Sequence, residues 1–184
     1  MRFTGILGTM TVLLCTAVSA AFANDTDTSG SGSGTAFSAR LTGFNEVPLT
    51  ILSPGSGSAQ VTIDRASSTI SYTLTYADTT TSVTQAHIHF GKKHTAGGII
   101  AFLCSNVGTP PSGTPACPNP GGTVTGTINA SQVVAQEPQN VPGGDFNALV
   151  SAIASGTAYV NVHTTRFPAG ELRGQLRDGQ HGDK

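Results

Sequence analysis

Three histidines have the spacing of a metal site. His87 and His89 form a His-x-His pair, and His163 ends a second stretch of alternating apolar residues. Side chains two apart in a β-strand point to the same face. The pair therefore shares the face opposite Ile88, and His163 lies opposite Val162. Imidazole is a good ligand for copper and zinc. If the two strands are neighbours, this pattern predicts a site for one transition-metal ion, with copper favoured over zinc.

The same pattern is also typical of solvated polar residues on an exposed strand face, and that interpretation stays open. Imidazoles that bind a metal must be neutral, so for the metal site we expect the affinity to fall steeply as the pH drops through the histidine range near ~6.5. His94, in the loop after the pair, is a further candidate ligand, although its position favours an ordinary loop residue. His181 lies in a polar tail, residues 179–184, that we expect to be disordered.

Most of the chain alternates between apolar and polar residues with period two, which is typical of half-buried β-strands. Apolar residues at helical spacing predict one short helix, which begins after Asp145 and ends at Gly156. The expected fold class is all-β, an antiparallel Greek-key-like β-sandwich or barrel of about seven to eight strands. The predicted strands cover residues 37–41, 59–64, 70–76, 86–90, 99–103, 123–128, 158–164 and 172–177.

Composition excludes several classes of protein. Only 10% of the 184 residues are charged and the formal net charge is −1, whereas about a quarter of a typical globular chain is charged. A nucleic-acid-binding protein needs a basic surface that this chain does not offer. A coiled coil would be rich in Ala, Glu, Lys, Leu and Arg. The composition favours an extracellular all-β domain.

The N-terminal residues have the features of an export signal. Arg2 precedes an apolar stretch at residues 6–18, and Ala21-Phe22-Ala23 resembles a cleavage site. We therefore expect a signal peptide at 1–23, a flexible Gly/Ser linker at 24–35 and one domain at 36–178. No stretch reaches the ~20 apolar residues of a membrane span. The expected location is secreted or periplasmic.

Export also determines how the cysteines are interpreted. Removal of the signal peptide takes away Cys15 and leaves Cys104 and Cys117. Two cysteines in an oxidising compartment are expected to pair. Their separation matches no common zinc-binding spacing. The sequence predicts a Cys104–Cys117 disulfide that closes a loop rich in Gly and Pro.

Four motifs occur in order along the domain: GFNEVP at 43–48, AHIHFG at 86–91, YVNVHT at 159–164 and PAGELRGQL at 168–176. With them, residues 37–177 resemble the CHRD domain of chordin and of exported microbial proteins. This resemblance implies a β-rich extracellular module and assigns no settled reaction.

A looser resemblance is to copper/zinc superoxide dismutase, which has copper ligands on a His-x-His-x-Phe-Gly strand and on a late strand ending in Val-His. By this analogy His87, His89 and His163 hold copper, with Arg173 beside the metal. The chain has no histidine at the bridging position and no cluster of His and Asp for zinc. The resemblance therefore implies a mononuclear site and not a dinuclear dismutase.

Four further side chains are candidates for supporting the ligands. Tyr159 and Asn161 share the predicted polar face with His163, and Glu171 and Arg173 face the same way on the last strand. A carboxylate can orient a ligand histidine, and a guanidinium can guide an anion. An ordinary salt bridge between Glu171 and Arg173 fits the pattern equally well. Glu46, in the first motif, is expected to accept hydrogen bonds from turn amides.

Together these features predict an exported protein that binds or handles one metal ion rather than turning over a substrate. The alternative is a metal-free module whose polar face docks an extracellular protein or a matrix polysaccharide. A weak copper oxidoreductase is a third hypothesis. No nucleic-acid partner is expected.

Overall fold

The computed structural model describes Met1 and residues 34–179. The predicted signal peptide beyond Met1, most of the predicted linker, and His181 lie outside the described residues. The first strand begins at Thr35, one residue before the predicted start of the domain at Ala36. Among the described residues, no helix is both long and apolar enough to cross a membrane.

The described chain folds as an antiparallel sheet with one α-helix, which confirms the predicted fold class. All eight predicted strands are present. The last one is divided into two short strands. The first pairs with the strand before it and with the first strand, and the second pairs with the first strand. The strands are β1 Thr35–Thr42, β2 Ser56–Asp64, β3 Thr69–Ala77, β4 Val83–Phe90, β5 Gly98–Ser105, β6 Gly122–Ile128, β7 Ala158–Thr164, β8 Leu172–Gln175 and β9 Arg177–Asp178; the helix α1 is Phe146–Ala154.

The sheet is nearly closed into a barrel. Its strand order is β5-β4-β7-β8-β1-β2-β3-β6, with β9 paired to β1. The two end strands, β5 and β6, approach each other. The Tyr72 hydroxyl on β3, the strand next to β6, donates a 2.6 Å hydrogen bond to the Leu103 carbonyl on β5, so side chains also link the two sides of the opening. The long connections place β4 beside β7, although they are far apart in sequence.

The apolar core follows the predicted alternation on one side of the sheet. Ala59, Val61 and Ile63 of β2 are buried, as are Leu74 and Tyr76 of β3, while the residues between them are more exposed. The helix packs its apolar face onto this core. Asp145 caps its first turn by accepting a hydrogen bond from the Ala148 amide, as the sequence predicts.

The predicted disulfide is present between Cys104, at the end of β5, and Cys117. Both cysteines are buried. The side chain of Asn106 holds the enclosed loop, since its Nδ2 donates to the Cys117 carbonyl and its Oδ1 accepts from the Cys117 amide. The bridge thus fixes the loop to the edge strand of the sheet.

The strands β4 and β7 depart from the predicted pattern of one buried and one solvated face. Every residue of β7 is buried, and the second half of β4 is buried on both faces except at its last residue. The interpretation of the strand histidines as solvated surface residues is therefore wrong. Alternation in sequence predicts which way a side chain points, but it does not predict whether a loop covers that side.

Candidate metal centre

The register of β4 against β7 brings the histidines together. His87 lies opposite Asn161. His163 lies opposite Gln85, two residues before His87 on the same pair of strands. Paired residues on neighbouring strands project to the same face of a sheet. With His89 two residues beyond His87, the three imidazoles meet on the side away from Ile88. The expectation that these two strands are neighbours is confirmed.

The imidazole rings are close enough to share one ion. Ring centroids lie 5.5 Å apart for His87 and His89, 4.9 Å for His87 and His163, and 5.7 Å for His89 and His163. One nitrogen from each ring lies within 4.8 Å of the others. Metal–nitrogen bonds of about 2.0–2.1 Å need nitrogens roughly 3.5 Å apart. Small rotations of the rings would therefore bring them around an ion.

Burial keeps these imidazoles neutral. His87 is 0% exposed, His163 5% and His89 7%. Desolvation, with smaller effects from the other two histidines, lowers the pKa of His87 to about 2. Desolvation also lowers the pKa of His89 to about 4 and the pKa of His163 below its ordinary value. The neutral ring is the form that binds metal, so the expected titration near ~6.5 does not apply.

Two backbone carbonyls set the tautomers of two of the rings. The Nδ1 of His89 lies 2.9 Å from the Gly97 carbonyl oxygen, and the Nδ1 of His163 lies 3.0 Å from that of Pro168. A carbonyl only accepts, so in the neutral rings each Nδ1 carries the proton and each Nε2 keeps its lone pair. Both Nε2 atoms are buried without a hydrogen-bond partner. Such a tether on the second nitrogen is usual for metal-binding histidines.

His87 has no tether. Neither of its ring nitrogens has a hydrogen-bond partner. Its ring meets that of Phe102 edge to face, with 4.4 Å between centroids. A buried polar group without a partner is rare in native proteins and calls for an explanation such as an unseen ion. His87 is the member of the group for which that explanation is most needed.

Tyr159 and Arg173 form a stack against His89. The Tyr159 ring lies parallel to the imidazole, with 4.8 Å between centroids and 7° between planes. The guanidinium carbon of Arg173 sits 3.5 Å from the centre of the Tyr159 ring. The Nη2 of Arg173 donates to the carbonyls of Lys92, at 3.1 Å, and Thr95, at 2.7 Å. Arg173 thus fastens the backbone of the loop that follows β4 to the Tyr159 ring beside His89.

That segment, residues 91–97, is here named the covering loop. The Nε2 of Gln175 donates to the Gly91 carbonyl, and the Gly97 amide donates to the Tyr159 hydroxyl. Gly97 passes so close to the Phe90 carbonyl that a β-carbon there would clash. His94 is exposed, has a positive φ of 66° and is not part of the three-histidine group.

Glu46 and Asn161 form a buried polar pair beside the site. The Nδ2 of Asn161 donates to Glu46 Oε2 at 3.4 Å, while Glu46 Oε1 and Asn161 Oδ1 have no partner. Desolvation raises the pKa of Glu46 to about 7, against the opposing effect of Arg173. Sequence reasoning placed Glu46 in a turn and missed its burial. The available signal was its place in one of the four motifs that also contain the histidines.

Glu171 does not orient a histidine. Its Oε1 accepts from the Ser53 hydroxyl and the Thr80 amide, and its Oε2 accepts from the hydroxyls of Thr80 and Thr164. The carboxylate therefore ties loops to the end of β7. Within the described residues it forms no salt bridge with Arg173, whose guanidinium is bound to the covering loop. Carbonyl groups of Gly97 and Pro168 take the orienting role that the sequence suggested for Glu171.

Comparison with known families agrees with this description. The family described as CHRD domain matches residues 37–176, which is most of the chain, so the protein belongs to the CHRD family. No curated protein and no solved structure matches the chain significantly.

Proposed function

We propose that this CHRD-domain protein binds one transition-metal ion, with copper favoured over zinc, through Nε2 of His89, Nε2 of His163 and one ring nitrogen of His87. The observation that carries the proposal is the set of unpartnered, buried nitrogens on three neutral imidazoles in mutual contact. Each would gain a partner from a single ion. Without metal, each of these atoms costs free energy that the fold does not recover.

The direct test is calorimetric titration of purified, chelator-treated protein with copper and with zinc. His87→Ala, His89→Ala and His163→Ala should each weaken binding strongly. His94→Ala is the matched control, because His94 is an exposed histidine outside the group, and it should change little. If the native protein takes up neither metal at micromolar concentrations, or if His94→Ala matters as much as the other three, the proposed site is wrong.

The dependence on pH gives a second test. In the folded protein the pKa of His87 is about 2 and that of His89 about 4. Protons therefore do not compete with the metal for these two rings until strongly acidic pH. Burial also lowers the pKa of His163, so the affinity should change little between about pH 8 and about pH 6. A tenfold or greater loss over that range, about 1.4 kcal/mol, would show that the ligands titrate like exposed histidines.

We further propose that the protein is exported and oxidised. The proposal is supported by the N-terminal pattern of residues 1–23, by the Cys104–Cys117 disulfide and by CHRD-family membership. The mature chain should begin at Asn24. Intact mass with and without alkylation tests both points, since two free thiols in native material would contradict the oxidised state.

An extracellular interaction module is the second candidate function. Its predicted form, docking through the polar strand face, no longer fits, because that face is buried. The observation that favours it now is the exposure of Phe44, Leu49 and Leu52, three large apolar side chains in one short segment. Immobilised native protein should then capture an extracellular partner, and Leu49→Ser with Leu52→Ser should abolish capture. If capture persists in that variant, the apolar segment is not the interface.

A further inference from the structure

The three-histidine site has no negatively charged candidate ligand among the described residues. Its candidate ligands among the described residues are three imidazoles, with no thiolate and no carboxylate in the group. The rings are buried and neutral, so the ligands bring no negative charge to balance an ion. The neighbouring charges then decide which ions the site accepts.

The nearest cation disfavours further positive charge. Arg173 sits over the Tyr159 ring that stacks on His89, and it is 3% exposed. Its guanidinium donates to two carbonyls and is bound to no carboxylate in the described part of the chain. An arginine stays protonated in proteins. The site therefore lies beside a fixed positive charge.

Two buried carboxyl groups, Glu46 and Glu171, are not available as ligands. Glu171 spends both oxygens on hydrogen bonds to Ser53, Thr80 and Thr164. Glu46 has one oxygen engaged by Asn161 and is buried in surroundings that disfavour its charge. Neither belongs to the group of candidate ligands. A divalent ion would thus have no anionic ligand to offset its charge.

We propose that the site selects a monovalent soft ion, Cu(I), over the divalent ions Cu(II) and Zn(II). This inference rests on the proposed function and specifies the charge of the ion that the site binds. The energy of burying an ion grows with the square of its charge, so a dication costs about four times as much as a monocation of the same size. Catalytic zinc, with three protein ligands, usually takes a water as its fourth. The ring nitrogens without partners are buried from solvent.

The experiment compares ions that differ in charge but share a filled d shell. Native protein is titrated anaerobically with Ag(I), as a redox-inert monovalent probe, and with Zn(II), each against a competing chelator. Ag(I) should bind on the order of 100-fold tighter than Zn(II), because the penalty for burying an ion is several kcal/mol. Cu(I) should likewise bind tighter than Cu(II), and copper loaded under reductant should stay silent in electron paramagnetic resonance after the reductant is removed.

A charge-changing variant tests the cause. Asn161 lies opposite His87 on β4 and opposite Arg173 on β8. Asn161→Asp would place a second carboxyl beside that of Glu46 without changing the size of the side chain, so that the pair carries a negative charge even while it holds one shared proton. It should shift the Ag(I)-to-Zn(II) preference toward zinc by tenfold or more. Asn147→Asp, on the exposed side of α1, makes the same change away from the site and should leave the preference unaltered.

The outcomes separate the two proposals. If none of the ions binds, the proposed function fails and this inference falls with it. If Zn(II) or Cu(II) binds as tightly as Ag(I) and Cu(I), metal binding stands and the selectivity for monovalent ions is wrong. If Asn161→Asp does not fold, the ratio of Ag(I) to Zn(II) affinity of the native protein alone decides whether the site prefers monovalent ions.

Discussion

Replacing His87 by leucine should make the metal-free protein more stable while removing one histidine of the proposed metal site. His87 is fully buried, and both of its ring nitrogens lack hydrogen-bond partners. A buried polar group without a partner costs about 1–3 kcal/mol. Leucine has a similar volume and no polar atoms, so it relieves this cost while still packing against Phe102. We expect a gain of roughly 2 kcal/mol in the free energy of unfolding at neutral pH.

The gain should grow on acidification. The pKa of His87 is about 2 in the folded protein, against its ordinary value of 6.5 in the unfolded chain. As the pH falls below the unfolded value, the unfolded chain takes up a proton that the folded protein does not, so the folded state loses stability. At about pH 5 this loss is roughly 2 kcal/mol. His87→Leu removes it, and its advantage should reach roughly 4 kcal/mol.

Urea unfolding of chelator-treated native protein and His87→Leu, at about pH 7 and about pH 5, measures both effects. The chain has no tryptophan and three tyrosines, so circular dichroism or tyrosine fluorescence serves as the probe. His94→Leu is the control and should show no such pH-dependent gain, because His94 is exposed. The reasoning is refuted if His87→Leu is less stable than native protein at both pH values, or if its advantage stays constant between them.

Three other perturbations have defined outcomes. Cys104→Ala with Cys117→Ala should lower the free energy of unfolding by ~3 kcal/mol in urea melts, since the bridge spans a separation of 13 residues; a change below ~1 kcal/mol would contradict this. Gly170→Ala should cost at least about 2 kcal/mol more than Gly108→Ala. Both glycines have positive φ, but a β-carbon at Gly170 would lie 2.6 Å from Asn161 Oδ1, whereas Gly108 has open space; equal costs would contradict it. Asp145→Ala should cost about 1 kcal/mol through loss of the helix cap, measured by thermal melting.

The sequence predicts the strands and the facing of the histidines because both depend on a local period of two. Val160 and Val162 alternate with Asn161 and His163, and the structure places the two sets on opposite sides of β7. The pairing of β4 with β7 rested on a conditional assumption, since residues so far apart carry no local signal of being neighbours. The facing of the histidines made that assumption testable.

The burial of the site was not predictable from the same pattern. It depends on the covering loop and on the turn that carries Glu46, whose backbone conformations are irregular. His89 and His163 are hydrogen-bonded to backbone carbonyls. Every residue has such a carbonyl, so the sequence does not show which ones will accept these bonds. We expected Glu171 to orient a histidine because carboxylates often do so. Its position beside Ser53 and Thr80 depends on loops, and a loop has no periodic sequence pattern from which its path could be predicted.

The hydrogen bonds that hold the covering loop would affect the rates at which an ion binds and dissociates. The loop backbone is tied to Arg173, Gln175 and Tyr159 on the sheet, and its Gly97 carbonyl is hydrogen-bonded to the His89 ring. An ion between the rings leaves only when several of these bonds open together, and loop openings of this kind take from microseconds to seconds. Its residence time would then follow the opening rate, and a stronger scavenger outside would not shorten it. If the proposed site holds an ion, its release is therefore timed by the loop and not by the demand outside.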